Sequence, residues 1–248
     1  MKFTILLILL LTTHVLAGTI QIAVAANVSY AIEDLKDAFS KEHPETKVQV
    51  ILGSSGKLTA QIKNGAPYQL FMSANMTYPE ALYKQKTAVS KPVIYAEGTL
   101  AYLSVKPYDL SKGLDILKDP QIKRIAVANP KTAPYGIAAR EALKNAQLYD
   151  AVKSKFIFGE SVSQTVSYTV TAADLGFIAK SSLYSKQMQK YKEGKNWREV
   201  DPKLYTPIAQ GIVILKKGES NAEVKAFYDF ILSDTAKEIL KKFGYNLP

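Results

Sequence analysis

The residues of this chain best suited to chemistry sit at two junctions where a short apolar run gives way to a helix-forming one. The first reads Ala25-Ala26-Asn27-Val28-Ser29 and the second Gly53-Ser54-Ser55-Gly56-Lys57. A helix N-terminus leaves its first N–H groups unpaired and carries the positive end of the helix dipole, so it attracts anions. Small residues at such a place let a ligand approach the backbone closely. Each junction, taken alone, also fits plain capping, since Asn and Ser are ordinary N-cap residues. The second junction invites comparison with a nucleotide P-loop and fails it. Ile51 stands where the leading glycine belongs, and Leu58 stands where Ser or Thr must follow Lys57.

Catalysis has little to work with. The chain has two histidines, His14 and His43, and His14 lies in a leader-like segment. His43 sits in Lys41-Glu42-His43-Pro44, which reads as an exposed loop, so neither a histidine-based triad nor a histidine metal site is expected. Glu33, Asp34 and Asp174 are available for acid–base work. Adjacent residues diverge on a helix, however, so Glu33 and Asp34 read as a solvated face. With no cysteine there is no disulfide framework and no lipidated cysteine to anchor the chain. A binding protein without catalytic residues, cofactor or metal is the expectation.

The formal charge is +10, but the lysines are scattered and form no run longer than pairs such as Lys216-Lys217. A nucleic-acid partner would call for a clustered stripe or a reading motif, and none is visible. The opening residues place Lys2 before an apolar run from Phe3 to Leu11, and small residues follow at Ala17 and Gly18. That order predicts a secretory signal peptide over residues 1–17, too short in its apolar part to span a bilayer. The expected home is the periplasm.

The elements that must carry the two junctions alternate in an α/β rhythm. Ile20, Ile22 and Val24 predict a strand, then Ile32, Leu35, Ala38 and Phe39 a helix. Val48, Val50 and Leu52 predict the next strand, followed by a helix through Leu58 and Ile62 that stops at Asn64-Gly65. A short strand at Gln69 to Met72 and a helix from Pro79 to Lys86 follow. A second α/β set comprises strands at Ile125, Phe156 and Leu175 and helices over Ile137 to Asn145 and Val162 to Ala172. Two longer apolar segments, Val93 to Val105 and Pro207 to Leu215, read as paired crossovers, and Ala222 to Phe243 as a helix pair returning to the first lobe. Two lobes joined by a two-strand hinge suit closure on a ligand in the cleft between them. The expected division is 18–97 for the first part of lobe one, 98–207 for lobe two and 208–248 for the return to lobe one.

Several segments, in order along the chain, together resemble the periplasmic molybdate-binding proteins of ABC transporters. They are Ile22 to Asn27 (IAVAAN), Gly53 to Ile62 (GSSGKLTAQI), Asn64 to Ala74 (NGAPYQLFMSA) and Ala128 to Gly136 (ANPKTAPYG). Gly159 to Gln164 (GESVSQ), Ala173 to Ile178 (ADLGFI) and Ala226 to Phe230 (AFYDF) continue the likeness. The resemblance implies a type II periplasmic-binding-protein fold, each lobe a mixed sheet flanked by helices. It implies molybdate or tungstate as ligand, an ABC permease as partner and a monomer. Carried over residue by residue, it implies oxyanion contacts at Asn27 (N–H and side-chain amide), Ser55 (N–H and hydroxyl), Tyr135 (N–H) and Val162 (N–H). The chain departs from members that use a tyrosine hydroxyl after the Leu175–Ile178 strand, because Ala179 stands there. Rival readings are another oxyanion or small organic acid on the same fold, and a secreted enzyme on this scaffold. A carboxylate ligand would favour an arginine in the cleft, and the chain has only Arg124, Arg140 and Arg198.

Overall fold

The computed structural model describes residues 18–247, so the expected signal peptide lies outside the described residues. Among the described residues, ten strands fall into two five-stranded sheets. In chain order, the first lobe opens with β1 (Gly18–Ala25), a 3-10 turn (Ala26–Tyr30), α1 (Ile32–Glu42), β2 (Thr46–Gly53), α2 (Ser55–Lys63), β3 (Leu70–Met72), α3 (Thr77–Lys84) and β4 (Val93–Gly98). The second lobe holds β5 (Leu100–Leu103), a 3-10 segment (Leu110–Lys118), β6 (Ile125–Ala128), α4 (Pro134–Asn145), α5 (Tyr149–Val152), β7 (Phe156–Gly159), α6 (Val162–Thr171), β8 (Leu175–Ala179) and β9 (Trp197–Glu199). The chain then returns through β10 (Ile208–Ile214) to α7 (Ala222–Ile231) and α8 (Asp234–Lys242).

The two sheets repeat one plan. The first runs β2-β1-β3-β10-β4 and the second β7-β6-β8-β5-β9. In each, the first three strands are parallel and the fourth runs antiparallel to both of its neighbours. Alternation along β1 explains why helices cover both faces of the first sheet. Ile20, Ile22 and Val24 face a core built with Leu35 and Phe39 of α1, Phe227 and Ile231 of α7 and Leu240 of α8. Ala23 faces the other side, against Leu58 and Ile62 of α2 and Leu82 of α3. Leu52, at the end of the edge strand β2, has no neighbour strand beyond it and stands 48% exposed.

The long segment from Val93 to Val105 proves to be two strands in different sheets, divided at Thr99. Its partner, Pro207 to Leu215, holds one strand of the first sheet. Strand β9, α5 and the 3-10 segment at Leu110–Lys118 escape the periodicity, being short or irregular. Glu33 and Asp34 lie exposed in the first turn of α1, with Glu33 paired to Lys36, as a solvated face requires. Among the described residues no helix is long and apolar enough to cross a membrane.

Candidate functional site

The parallel strands of both lobes point their C-terminal ends at the cleft, the position where open α/β sheets bind ligands. A small pocket lies there, with room for little more than one water molecule, about 10 Å³. Its first-lobe wall comes from Ala25 to Asn27, Gly53 to Ser55 and Ala74, and its second-lobe wall from Ala133 to Tyr135 and Val162. Asn27, Ser55, Tyr135 and Val162 thus meet at one place, each at most 4% exposed. No lysine, arginine, aspartate or glutamate lines the cavity. Arg124 and Arg198 are exposed, and Arg140 is half-buried outside the cavity wall.

Three of these residues open helices. Ser55 is the first residue of α2, Val162 the first of α6, and Tyr135 follows Pro134 at the start of α4. Proline at that first position has no N–H to satisfy and is set for the helical turn. Other N–H groups at these ends are already engaged, one in each helix. Gly56 N–H donates to Thr132 O at 2.8 Å, Gly136 N–H to Ala133 O at 2.9 Å, and Gln164 N–H to Ser161 Oγ at 3.3 Å. Among the described residues no protein acceptor takes the N–H of Asn27, Ser55, Tyr135 or Val162. Ser55 Oγ accepts from Ala74 N–H at 2.9 Å, which leaves the hydroxyl proton to donate elsewhere. The wall therefore offers donors and no formal charge.

Asn27 is the second residue of a 3-10 turn instead of opening the helix its sequence suggested; α1 starts five residues later, at Ile32. Its side-chain amide is also committed, donating to Gln210 Oε1 at 2.9 Å and to Tyr245 Oη at 3.0 Å. Tyr95 donates to the same Gln210 Oε1 at 2.8 Å. Burial holds the Tyr95, Tyr135 and Tyr245 hydroxyls well above the usual phenol range, so they remain protonated donors. Gln210, Tyr95 and Tyr245 were not legible as site residues. The one signal was Gln210 itself, a lone polar side chain within the apolar run from Pro207 to Leu215.

The lobes also touch around the cavity rim. Ser54 Oγ donates to Glu160 Oε1 at 3.1 Å, Lys57 Nζ lies 3.7 Å from the same oxygen, and Ser181 Oγ donates to Asn27 O at 3.0 Å. The lobes also approach closely at Gly56, where a Cβ would stand 2.8 Å from Thr132 O of the second lobe. Asp174 lies at the opposite end of β8, away from the cavity. Its Oδ2 accepts from Lys123 N–H at 2.8 Å and Arg124 N–H at 2.9 Å, and it pairs with Lys106, which makes it a structural carboxylate.

Residues 20–246 match the family model of the bacterial extracellular solute-binding proteins. The chain belongs to this family. This solute-binding protein is 38% identical to the molybdate-binding protein of Azotobacter vinelandii over 233 residues, 93% of this chain and 91% of that one. It is 34% identical to the molybdate-binding protein of Rhodobacter capsulatus over 231 residues, 92% of this chain and 88% of that one. The solved structure of the Azotobacter vinelandii periplasmic molybdate-binding protein superposes with a TM-score of 0.85 at 33% identity, covering 92% of this chain and 99% of that one. The solute-binding protein thus has the two-lobe type II fold, acts outside the cytoplasm and binds its ligand without turning it over.

Proposed function

We propose that this protein captures molybdate, and tungstate with it, between its lobes and hands the anion to the membrane permease of an ABC importer. The lobes in this reading are residues 18–97 with 208–248, and 98–207. The observation that carries it is the convergence, from both lobes, of four N–H groups without protein acceptors on one uncharged cavity. The names of the two relatives above supply the anion. The protein works as a periplasmic monomer after removal of residues 1–17, and needs no cofactor.

Hydrogen bonds to a charged group contribute about 1.5–3 kcal/mol each. Four N–H groups and the Ser55 hydroxyl then supply roughly 7–15 kcal/mol before ordering costs, a range that spans micromolar to nanomolar affinity at about 8–12 kcal/mol. Donors from both walls reach the anion only when the cleft is shut, so binding favours the closed form. Fully deprotonated dianions can accept from every donor, whereas hydrogen phosphate must aim a proton at one of them.

Size does the remaining selection. Sulfate has the charge of molybdate but a smaller radius, and donors fixed by the backbone cannot all follow it inward. Losing two contacts costs about 3–6 kcal/mol, or roughly a hundredfold or more. Calorimetry on the mature chain with molybdate, tungstate, sulfate and phosphate tests this at low and high sodium chloride. Molybdate and tungstate should bind at least a hundredfold more tightly than sulfate, with a ratio indifferent to salt. Sulfate displacing molybdate at comparable concentration would overturn the reading.

A further inference from the structure

We propose that Gln210 is a positioning residue for the anion, setting which end of the Asn27 carboxamide meets the ligand. The inference rests on the cavity being the oxyanion site argued above. Gln210 is wholly buried on β10, at the point where the pairing of β10 with β4 slips between Gln210 and Gly211. Such a bulge re-aims a side chain. Here it brings the carboxamide among Asn27, Tyr95 and Tyr135: its Oε1 accepts from Asn27 Nδ2 and Tyr95 Oη, and its Nε2 donates to Tyr135 Oη at 3.5 Å. Room for this comes from Gly98, where a Cβ would stand 2.1 Å from Tyr135 Oη and 2.7 Å from Gln210 Nε2.

The two carboxamides are locked to each other. Asn27 Nδ2 spends both hydrogens on Gln210 and Tyr245, and Asn27 Oδ1 is left buried without a donor. Asn27 lines the cavity, so Oδ1 is the end left to meet the ligand, and an oxyanion brings only lone pairs to it. Carboxamide oxygen and nitrogen trade places with almost no change in heavy-atom positions. If both groups turn together, Gln210 Nε2 donates to Asn27 Oδ1 and to Tyr95 Oη, and Gln210 Oε1 accepts from Tyr135 Oη. The Tyr245 hydroxyl, which donates to Asn27 O at 2.9 Å, swings to Oδ1, while Ser181 still serves that carbonyl. Asn27 Nδ2 then faces the anion as a further donor. Neither group can turn alone, because N–H would meet N–H, or oxygen would meet oxygen, across 2.9 Å. A deprotonated anion selects the donor-out pair. The opposite pair presents an acceptor, suited to a ligand that carries a proton.

A double-mutant cycle on molybdate affinity, measured by calorimetry, separates this role from a packing role. Gln210→Met should weaken molybdate ten- to a hundredfold in the wild-type background, and less than twofold in an Asn27→Ala background, since Gln210 acts through Asn27. Additive losses would overturn the proposal while leaving the site reading intact. Wild-type protein that binds no molybdate would overturn both. A second readout needs no substitution: the side-chain ¹⁵N–¹H signals of Asn27 and Gln210 should move together as molybdate saturates the protein. A response in neither, with binding present, would also overturn the coupled turn.

Discussion

Replacing Gly56 by alanine tests whether ligand affinity depends on closure of the cleft. Gly56 is the second residue of α2, and its N–H donates across the cleft to Thr132 O at 2.8 Å. The new Cβ would stand 2.8 Å from that oxygen and 2.9 Å from Thr132 Cα, both backbone atoms that cannot turn aside. Ordinary contact needs about 0.5 Å more, so the lobes must part. The cross-cleft hydrogen bond, worth about 0.5–1.5 kcal/mol, weakens first. Donors from Tyr135 and Val162 then draw back from an anion held by Asn27 and Ser55, and losing one costs about 1.5–3 kcal/mol. Together the loss is about 2–4.5 kcal/mol, or roughly thirty- to two-thousandfold in molybdate affinity. The ligand-free protein should not lose stability, because alanine favours a helix over glycine by up to about 1 kcal/mol. Calorimetric titration beside a ligand-free thermal melt reads both quantities. Affinity within threefold of wild type, with an unchanged melt, would refute the dependence on closure.

Asn27→Asp should weaken molybdate at least a hundredfold, since a carboxylate beside the dianion adds repulsion; the same titration checks it, and the Gln210 amide, once turned over, and the Tyr245 hydroxyl can donate to the carboxylate oxygen that replaces Asn27 Nδ2. Asp174→Asn should leave molybdate affinity unchanged and lower stability at neutral pH by about 1–2 kcal/mol, as a carboxylate that accepts two N–H bonds loses its charge. Burial by itself would raise the Asp174 carboxyl, but the Lys106 ammonium and the Arg124 and Lys123 N–H groups outweigh it and hold it below the usual range. A depressed carboxyl contributes its full stability above the unfolded value near ~3.9 and loses it as pH falls through the lower folded value. Urea melts across pH should therefore show the wild-type advantage constant near neutrality and vanishing below about pH 4. A gap that persists at acid pH would argue against the charge as its source.

The alternation of Ile20, Ile22 and Val24 and the helical spacing of Leu35 and Phe39 were enough to place β1 and α1, because these residues bury their periodic faces locally. The same local logic marked Ser55 and Val162 as helix openers. Resemblance supplied Tyr135, which no spacing rule would single out. The tertiary structure decided three things that periodicity cannot carry. It divided the run from Val93 to Val105 between two sheets, because pairing partners lie far away in sequence. It spent the Asn27 amide on Gln210 and Tyr245, which are 183 and 218 residues distant. It set Gly56 against Thr132 across the cleft. Local sequence encodes which N–H groups a helix start leaves open; only long-range packing decides which polar side chains are already satisfied, and therefore which donors remain for a ligand.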